Sequence, residues 1–256
     1  MPGESPTSPR GRLDYKMVEQ GLCSSRERAK RAIMAGQVKI NGQVARKPSD
    51  WVSNNDEVTL DAPEKFVSRG GFKLEHALVH FGLNVKSQVA IDLGASTGGF
   101  TDCLLQHGAA KVYAVDVGQG QLAWKLRQDP RVVVMEKINA RTLTPASFPA
   151  PFSPVDLAVI DCSFISLRKI IPTSIALVHP SGKILALIKP QFEAGKAEAD
   201  KGAGVIRDPE IHQRVLGELA QFVADLPGLR WVDTTPSPIL GPAGNREFLA
   251  LLERTS

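Results

Sequence analysis

The sequence sets a glycine-rich turn, "DLGASTGGFTD" (residues 92 to 102), directly behind the apolar run Val89–Leu93. A turn of this kind lets a ligand come close to the backbone at the start of a helix. Its glycines are Gly94, Gly98 and Gly99, and Ser96 stands where the dinucleotide fingerprint G-x-G-x-x-G needs its middle glycine. No Gly-Lys-Ser/Thr follows, which excludes a Walker phosphate loop. A second acid, Asp116, closes the next apolar run, "KVYAVDV", at the place where a carboxylate commonly takes both hydroxyls of a ribose. Four more charged residues stand out. Lys73 lies in "RGGFKLEHAL", Asp161 ends "VDLAVID", Lys189 ends "KILALIK", and Glu247 opens "EFLALLER". Charges capping strands of an open sheet face the crevice where ligands bind. One lysine at a strand end is ordinarily solvated, but four such charges on one face make a candidate catalytic constellation. Two lysines and two carboxylates can take a proton from a weak oxygen nucleophile or stabilise the anion it becomes.

The elements that would position these groups alternate. Strands are expected at "VAIDLG", "KVYAVDV", "VVVME", "VDLAVID", "KILALIK", "LRWVDTTPS" and "REFLALLER". Helices are expected from Gly98 to about His107, through Trp124, after Ser166, and from Pro209 to about Ala224. Apolar strands interleaved with helices imply an α/β protein whose mostly parallel, seven-stranded sheet is covered on both faces. The polar, glycine-rich stretch 191–210 follows Lys189 directly and reads as a lid.

Ahead of this lies a different texture. The chain has 256 residues, 43% of them hydrophobic, and a formal net charge of +4. That charge is concentrated. Between Arg10 and Ser49 ten basic residues face only Asp14, Glu19 and Glu27, leaving the remainder slightly acidic. Leu13, Met17 and Val18 can share one helical face; Ser25 can cap a second helix ending before Gly36; "QVKING" and "DEVTL" read as strands, with Asn41-Gly42 as a tight turn. We expect a disordered tail over residues 1–9, a small α+β module over 10–61, a linker over 62–68 and the large domain over 69–256. Cys23, Cys103 and Cys162 are too few and too scattered for a disulfide framework, and the histidines show no ligand spacing, so no metal is assigned. No signal peptide or apolar run of membrane-spanning length is evident, which points to a cytoplasmic protein.

On the residues "RLD", "SSRERAKRAIMAGQVKINGQVARKP" and "DEVTL", the first module resembles the S-four-type RNA-binding domain. The resemblance implies phosphate contacts by Arg12, Arg26, Lys30, Arg31, Lys39, Arg46 and Lys47. The glycine loop with its two acids resembles the S-adenosylmethionine site of class I, Rossmann-like methyltransferases. It implies S-adenosylmethionine as cofactor, held by Asp92, Gly94, Ala95, Ser96, Thr97, Gly98, Gly99, Phe100, Asp116, Asn139 and Asp161. The order Lys73, Asp161, Lys189, Glu247 resembles the tetrad of FtsJ-like ribose 2′-O-methyltransferases. With "FVSRGGFKLEHAL", "DCSFISL", "LIKPQFE" and "GNREFL", the chain is similar to the TlyA family over about residues 10 to 253.

That resemblance implies methylation of a cytidine ribose 2′-hydroxyl in ribosomal RNA, free or within ribosomal subunits. In this reading Lys189 deprotonates the hydroxyl or stabilises its alkoxide, and Asp161 and Glu247 orient the two lysines. A second ammonium from Lys73 would favour the base, the carboxylates the alkoxide partner, and the sequence leaves both open. Arg141 lies beside Asn139, and Phe164 packs either in the core or beside cofactor or target base. Competing readings are a membrane-active haemolysin, a label the family carries, a non-catalytic RNA-binding protein, or an RNA methyltransferase with another RNA or base target. "DCSF" lacks the Asn/Asp-Pro-Pro-aromatic motif of base N-methyltransferases, which favours a ribose oxygen. Stable membrane insertion is not expected, and the oligomeric state is left open.

Overall fold

The computed structural model describes residues 10–61 and 64–255, which form two compact units dividing after Lys65. The tail expected over residues 1–9 and the linker residues Ala62 and Pro63 lie outside the described residues.

The first unit comprises β1 (Gly11–Arg12), α1 (Leu13–Glu19), α2 (Arg26–Met34), β2 (Val38–Ile40), β3 (Gln43–Val44), β4 (Trp51–Val52) and β5 (Val58–Leu60). Antiparallel β3-β2-β5 form one small sheet, and β1 pairs with β4. Ser25 caps α2 by accepting from the Arg28 amide, satisfying one of the donors a helix start leaves open. Leu13, Met17, Ala29, Ile33 and Val38 bury the helix faces against the sheet. Asp14 is fully buried, with Arg12 at 3.0 Å and Arg26 at 2.9 Å, and Arg26 also lies 3.7 Å over the Tyr15 ring. The Arg12 hydrogen bond, with help from Arg26, holds the Asp14 carboxyl below the usual carboxylate range.

The second unit runs α3 (Gly70–His80), β6 (Val89–Leu93), α4 (Gly99–Gln106), β7 (Lys111–Asp116), α5 (Trp124–Arg127), β8 (Val132–Glu136), β9 (Val155–Ile160), α6 (Ile171–Ile175), β10 (Val178–Ile188), α7 (Pro190–Glu193), α8 (Lys196–Lys201), α9 (Pro209–Ala224), β11 (Leu229–Pro236) and β12 (Phe248–Arg254). The strand order is β11-β12-β10-β9-β6-β7-β8, parallel except that β12 runs against both its neighbours. This is the expected α/β fold with a mostly parallel seven-stranded sheet. The chain reverses its progress across the sheet between β6 and β9, and a crevice opens at such a switch point.

Neighbouring strand residues point to opposite faces, so each continuous apolar run feeds two cores. Ile91, Val115, Ala158, Ile160 and Ile188 pack with α6 and α9. Ala90, Ala114, Leu157, Val159, Leu187 and Leu249 pack with α3 and α4. Continuing the second set by twos gives Asp92, Asp116, Asp161, Lys189 and Glu247. The acids and the lysine at the strand ends are therefore in phase with the face that α3, carrying Lys73, covers.

Three local expectations are corrected. The helix expected through Trp124 begins there instead, because residues 117–123 run as bends around Gly118 and Gly120. The stretch 191–210 is not an open loop. It contains α7 and α8, and Asn245 then pins it, donating to the Gly204 carbonyl at 2.8 Å and accepting from the Ile206 amide at 2.9 Å. Third, the segment before the first core strand, given no element from sequence, forms α3.

At the opposite ends of the central strands from the acids, Asp156 near the start of β9 accepts from the Val89 amide at 2.8 Å and meets His179 Nε2 at 3.0 Å, while His179 Nδ1 reaches the Pro180 carbonyl. The Pro180 bond first, then Asp156, raises the His179 pKa against partial burial and the Arg254 charge. A raised histidine value contributes stability below the unfolded pKa near 6.5 that disappears as pH rises through the folded value. Between pH 6 and 8 the melting temperature of the wild type should fall relative to His179→Gln, by on the order of 1–2 °C because the ring is partly solvated. Parallel curves would show that the ring carries no linked proton.

Candidate active site

A cavity of about 860 Å³ opens at the switch point. Its walls include Gly94 and Ser96 after β6, Asp116, Val117 and Gln121 after β7, Asn139 and Arg141 after β8, and the segment Asp161–Ser166 after β9. The volume lies toward the upper end of the roughly 300–1,000 Å³ typical of ligand sites, so a nucleoside-sized cofactor leaves room beside it.

The glycine loop is shaped by contact. Gly94 has φ +88°, and a Cβ there would lie 2.7 Å from the Asp161 carbonyl oxygen, so β6 and β9 can converge only without a side chain at this position. Gly99 starts α4 where a Cβ would strike Ser68 and the Gly71 amide, which lets α3 approach α4. Asp116 accepts from the Ser96 amide at 2.8 Å and from the Gly118 amide at 2.6 Å, tying the loops after β6 and β7 together. Asn139 takes the Arg141 amide at 3.1 Å, capping a short helical turn beside the cavity.

Not every residue expected at the cofactor lines this cavity. Asp92 is fully buried: its Oδ2 accepts from the Thr101 amide at 3.0 Å and from the Thr101 hydroxyl at 2.7 Å, while Oδ1 has no hydrogen-bond partner. Burial, reinforced by the Asp161 charge, pushes the Asp92 carboxyl up to about 7 against the opposing Thr101 bonds. Ala95 and Phe100 sit in the α3–α4 core, the Thr97 carbonyl accepts from the Ala123 amide, and Gly98 and Gly99 form the start of α4. These six shape the loop from behind. Residues that went unmarked in the sequence do line the cavity: Val117, Gln121, Ser163, Lys169 and Phe192. Gln121 accepts from the Ser96 hydroxyl at 3.3 Å, and its only signal was its place in the glycine-rich turn after Asp116.

The tetrad divides into two ion pairs. Lys189 Nζ lies 2.6 Å from Asp161 Oδ1 and donates to Ser163 Oγ at 2.8 Å and to the Cys162 carbonyl at 3.3 Å. Lys73 Nζ lies 2.5 Å from Glu247 Oε2, with both side chains almost wholly buried. The pairs are neighbours by register, since Ile188 faces Phe248 across β10 and β12 and Lys189 and Glu247 flank that step. Asp161 belongs to the cavity wall, Lys189 stands directly behind it, and the Lys73–Glu247 pair lies outside the lining. Cys162 also lines the cavity, and burial pushes its thiol up to about 12, so it stays a neutral thiol. Phe164 is 91% exposed at the rim.

Residues 66–254 match the FtsJ-like methyltransferase family, and residues 11–58 match the S4 domain. The chain belongs to the FtsJ-like methyltransferase family. Within that family, the 16S/23S rRNA (cytidine-2'-O)-methyltransferase TlyA of Mycobacterium tuberculosis (strain ATCC 25618 / H37Rv) is 44% identical over 245 residues, 95% of this chain and 90% of that protein. Hemolysin A of Brachyspira hyodysenteriae is 42% identical over 239 residues, 93% of this chain and 98% of that protein. A solved structure of a hemolysin-named protein from Streptococcus thermophilus matches with a TM-score of 0.73 at 46% identity, covering 97% of this chain and 90% of that one. Among the described residues of this FtsJ-like methyltransferase, no helix is long and apolar enough to cross a membrane.

Proposed function

We propose that this protein transfers a methyl group from S-adenosylmethionine to a ribose 2′-hydroxyl of ribosomal RNA, with cytidine as the target nucleoside. The observation that carries the reading is the Lys189–Asp161 pair, which sets a lysine amine behind the wall of a cavity that Asp116 also lines. The M. tuberculosis relative bears the name of this reaction, and the S4 domain match supplies an RNA-binding module. Such a substrate sets the reaction in the cytoplasm.

The residues present fit the cofactor. Asp116 and Asp161 set two carboxylates in the cavity wall, and behind the loop Asp92 Oδ1 is buried without a hydrogen-bond partner. That donor set suits a ligand carrying positive charge together with ribose hydroxyls. Gly94 and Ser96 let the ligand lie flush on the loop, Asp116 takes the ribose, and Asn139 and Arg141 flank the base. When bound, S-adenosylmethionine supplies an electrophilic sulfonium methyl. The chain's own part is to orient the hydroxyl and to compensate the charge that develops on its oxygen. Lys189, fixed by Asp161, Ser163 and Cys162, does the latter. Lys73 and Glu247 hold α3 to the start of β12 beside the Lys189–Asp161 pair. We assign residues 10–61 as the RNA-binding domain, 62–68 as the linker and 69–256 as the catalytic domain, with Arg12, Arg26, Lys30, Arg31, Lys39, Arg46 and Lys47 meeting phosphates.

Purified full-length protein with isotopically labelled cofactor and ribosomal subunits should label RNA in alkali-resistant dinucleotides, because a methylated 2′-oxygen cannot attack its phosphate. The label should lie on cytidine. Label recovered on a base instead would reject the ribose target.

Asp92 gives a second expectation. Between the ordinary carboxylate value near 4 and about 7, the folded state keeps a proton that the unfolded chain has shed, so stability falls as pH rises through that window. Asp92→Asn should remove that fall in thermal unfolding and, by removing a negative charge behind the loop at pH 8, weaken cofactor binding by a few fold. Unchanged affinity in equilibrium binding would mean that Asp92 exerts no field on the cofactor.

A further inference from the structure

The stretch Lys189–Glu193 grips the six residues Cys162–Leu167 at both ends. Lys189 Nζ holds the Cys162 carbonyl and the Ser163 hydroxyl. Four residues later Glu193 accepts from Ser166 Oγ at 2.7 Å and from the Leu167 amide at 2.8 Å. Between these grips the Phe192 ring meets Phe164, centroids 5.2 Å apart and planes tilted by 48°. What is held is an arch along the cavity rim.

Its apex is costly twice over. Phe164 has φ +62°, a left-handed conformation that bulky residues avoid, and its phenyl is 91% exposed. Such a residue persists only where its surroundings over-determine it, and strain of this sort gathers at ligand clamps. Glu193 supplies the grip on the C-terminal side of the apex. Burial pushes its carboxyl above the usual range, yet both of its oxygens are engaged by donors at the foot of the arch. Ser166 passes the hold onward, its hydroxyl oxygen accepting from the Arg168 amide at the start of the next helical turn.

We infer that Glu193 is a positioning residue for the RNA substrate: by fixing Ser166 and Leu167 it presents Phe164 at the cavity mouth to stack on the target base. The inference rests on the reading of this cavity as the site of the modified nucleotide. It makes one pentapeptide responsible both for the lysine behind the reacting oxygen and for the ring that seats the base.

The test uses full-length protein, ribosomal subunits as substrate, and methyl transfer measured against RNA concentration. Phe164→Ala should raise KM for RNA about tenfold, the range of a lost base–aromatic stack, with kcat within about threefold and cofactor affinity unchanged. Glu193→Ala should do the same, and the double variant should be little worse than either single one. Glu193→Gln should restore near-wild-type KM, since its carbonyl can accept from Leu167 and its amide can donate to Ser166. If Phe164→Ala raises KM and Glu193→Ala does not, or if the two penalties multiply, the positioning role is wrong. If Glu193→Ala also weakens cofactor binding and Gln fails to rescue, the residue is merely structural and the proposal falls. If Phe164→Ala leaves KM unchanged, the nucleotide-facing reading fails and takes this one with it.

Discussion

Lys189→Ala should lower methyl transfer to RNA by about 10²–10⁴-fold, the range over which positioned proton-transfer and charge-stabilising groups act. Cofactor affinity should stay within a few fold. The lysine touches Asp161, Ser163 and the Cys162 carbonyl and is not part of the cavity lining, so a ligand in the cavity loses charge compensation rather than a binding surface. The carboxylate left behind is tolerable because Asp161 is partly solvent-accessible, at 22% of its side chain. Removing Asp161 as well should add much less than its single effect, because groups that act as a unit fail together. Single-turnover assays with saturating cofactor separate the chemical step from RNA binding. A variant retaining half of wild-type turnover would sink the assignment of Lys189.

Glu247→Ala should destabilise the larger unit by about 3–5 kcal/mol, because it strands a buried ammonium. Lys73 and Glu247 are 8% and 1% exposed at their side chains and only 2.5 Å apart, so water cannot replace the lost partner. On the roughly 2–4 °C per kcal/mol of a domain this size, the melting temperature drops by about 10 °C. The pair is also a contact between distant parts of the chain, joining α3 to the start of β12. Replacing both members with apolar residues of similar volume, Lys73→Met with Glu247→Leu, should recover most of the stability, since a buried ion pair is often no better than packed hydrocarbon. Thermal unfolding of the single and double variants checks this. A single variant as stable as the wild type would show that solvent reaches the pair after all.

What the sequence made legible follows from the range of each interaction. Apolar runs with helices between them disclose a parallel sheet because strand and helix periods are local, and Ser25 before Arg26 discloses a cap for the same reason. The period of two also carries Asp92, Asp116, Asp161, Lys189 and Glu247 to one face, although nothing local says which acid ends up in the cavity and which beneath it. Asp92 lies beneath because Thr101, nine residues on, turns its carboxylate into the α4 core. The division of the tetrad into two pairs was hidden for the opposite reason. Lys73 and Glu247 are 174 residues apart, and only the antiparallel pairing of β12 with β10 brings Glu247 beside Lys189. Glu193 escaped notice because its partners, Ser166 and Leu167, lie on a connection whose path no periodicity encodes. The two-residue strands β1 and β4 are simply too short to show alternation.

The basic N-terminal module carries its own counterions. Asp14 already neutralises part of Arg12 and Arg26, Glu27 lies 2.9 Å from Lys30, and Asp61 lies 2.8 Å from Lys39. Among the described residues the side chains of Arg31, Arg46 and Lys47 hold no such ion pair and stand exposed. A phosphate arriving at the paired residues exchanges one anion for another and displaces few mobile salt ions, whereas at the other three it releases them. On the proposed phosphate contacts, the ionic-strength dependence of RNA binding is set by three side chains rather than seven, and is shallower than for an unpaired cluster of the same charge.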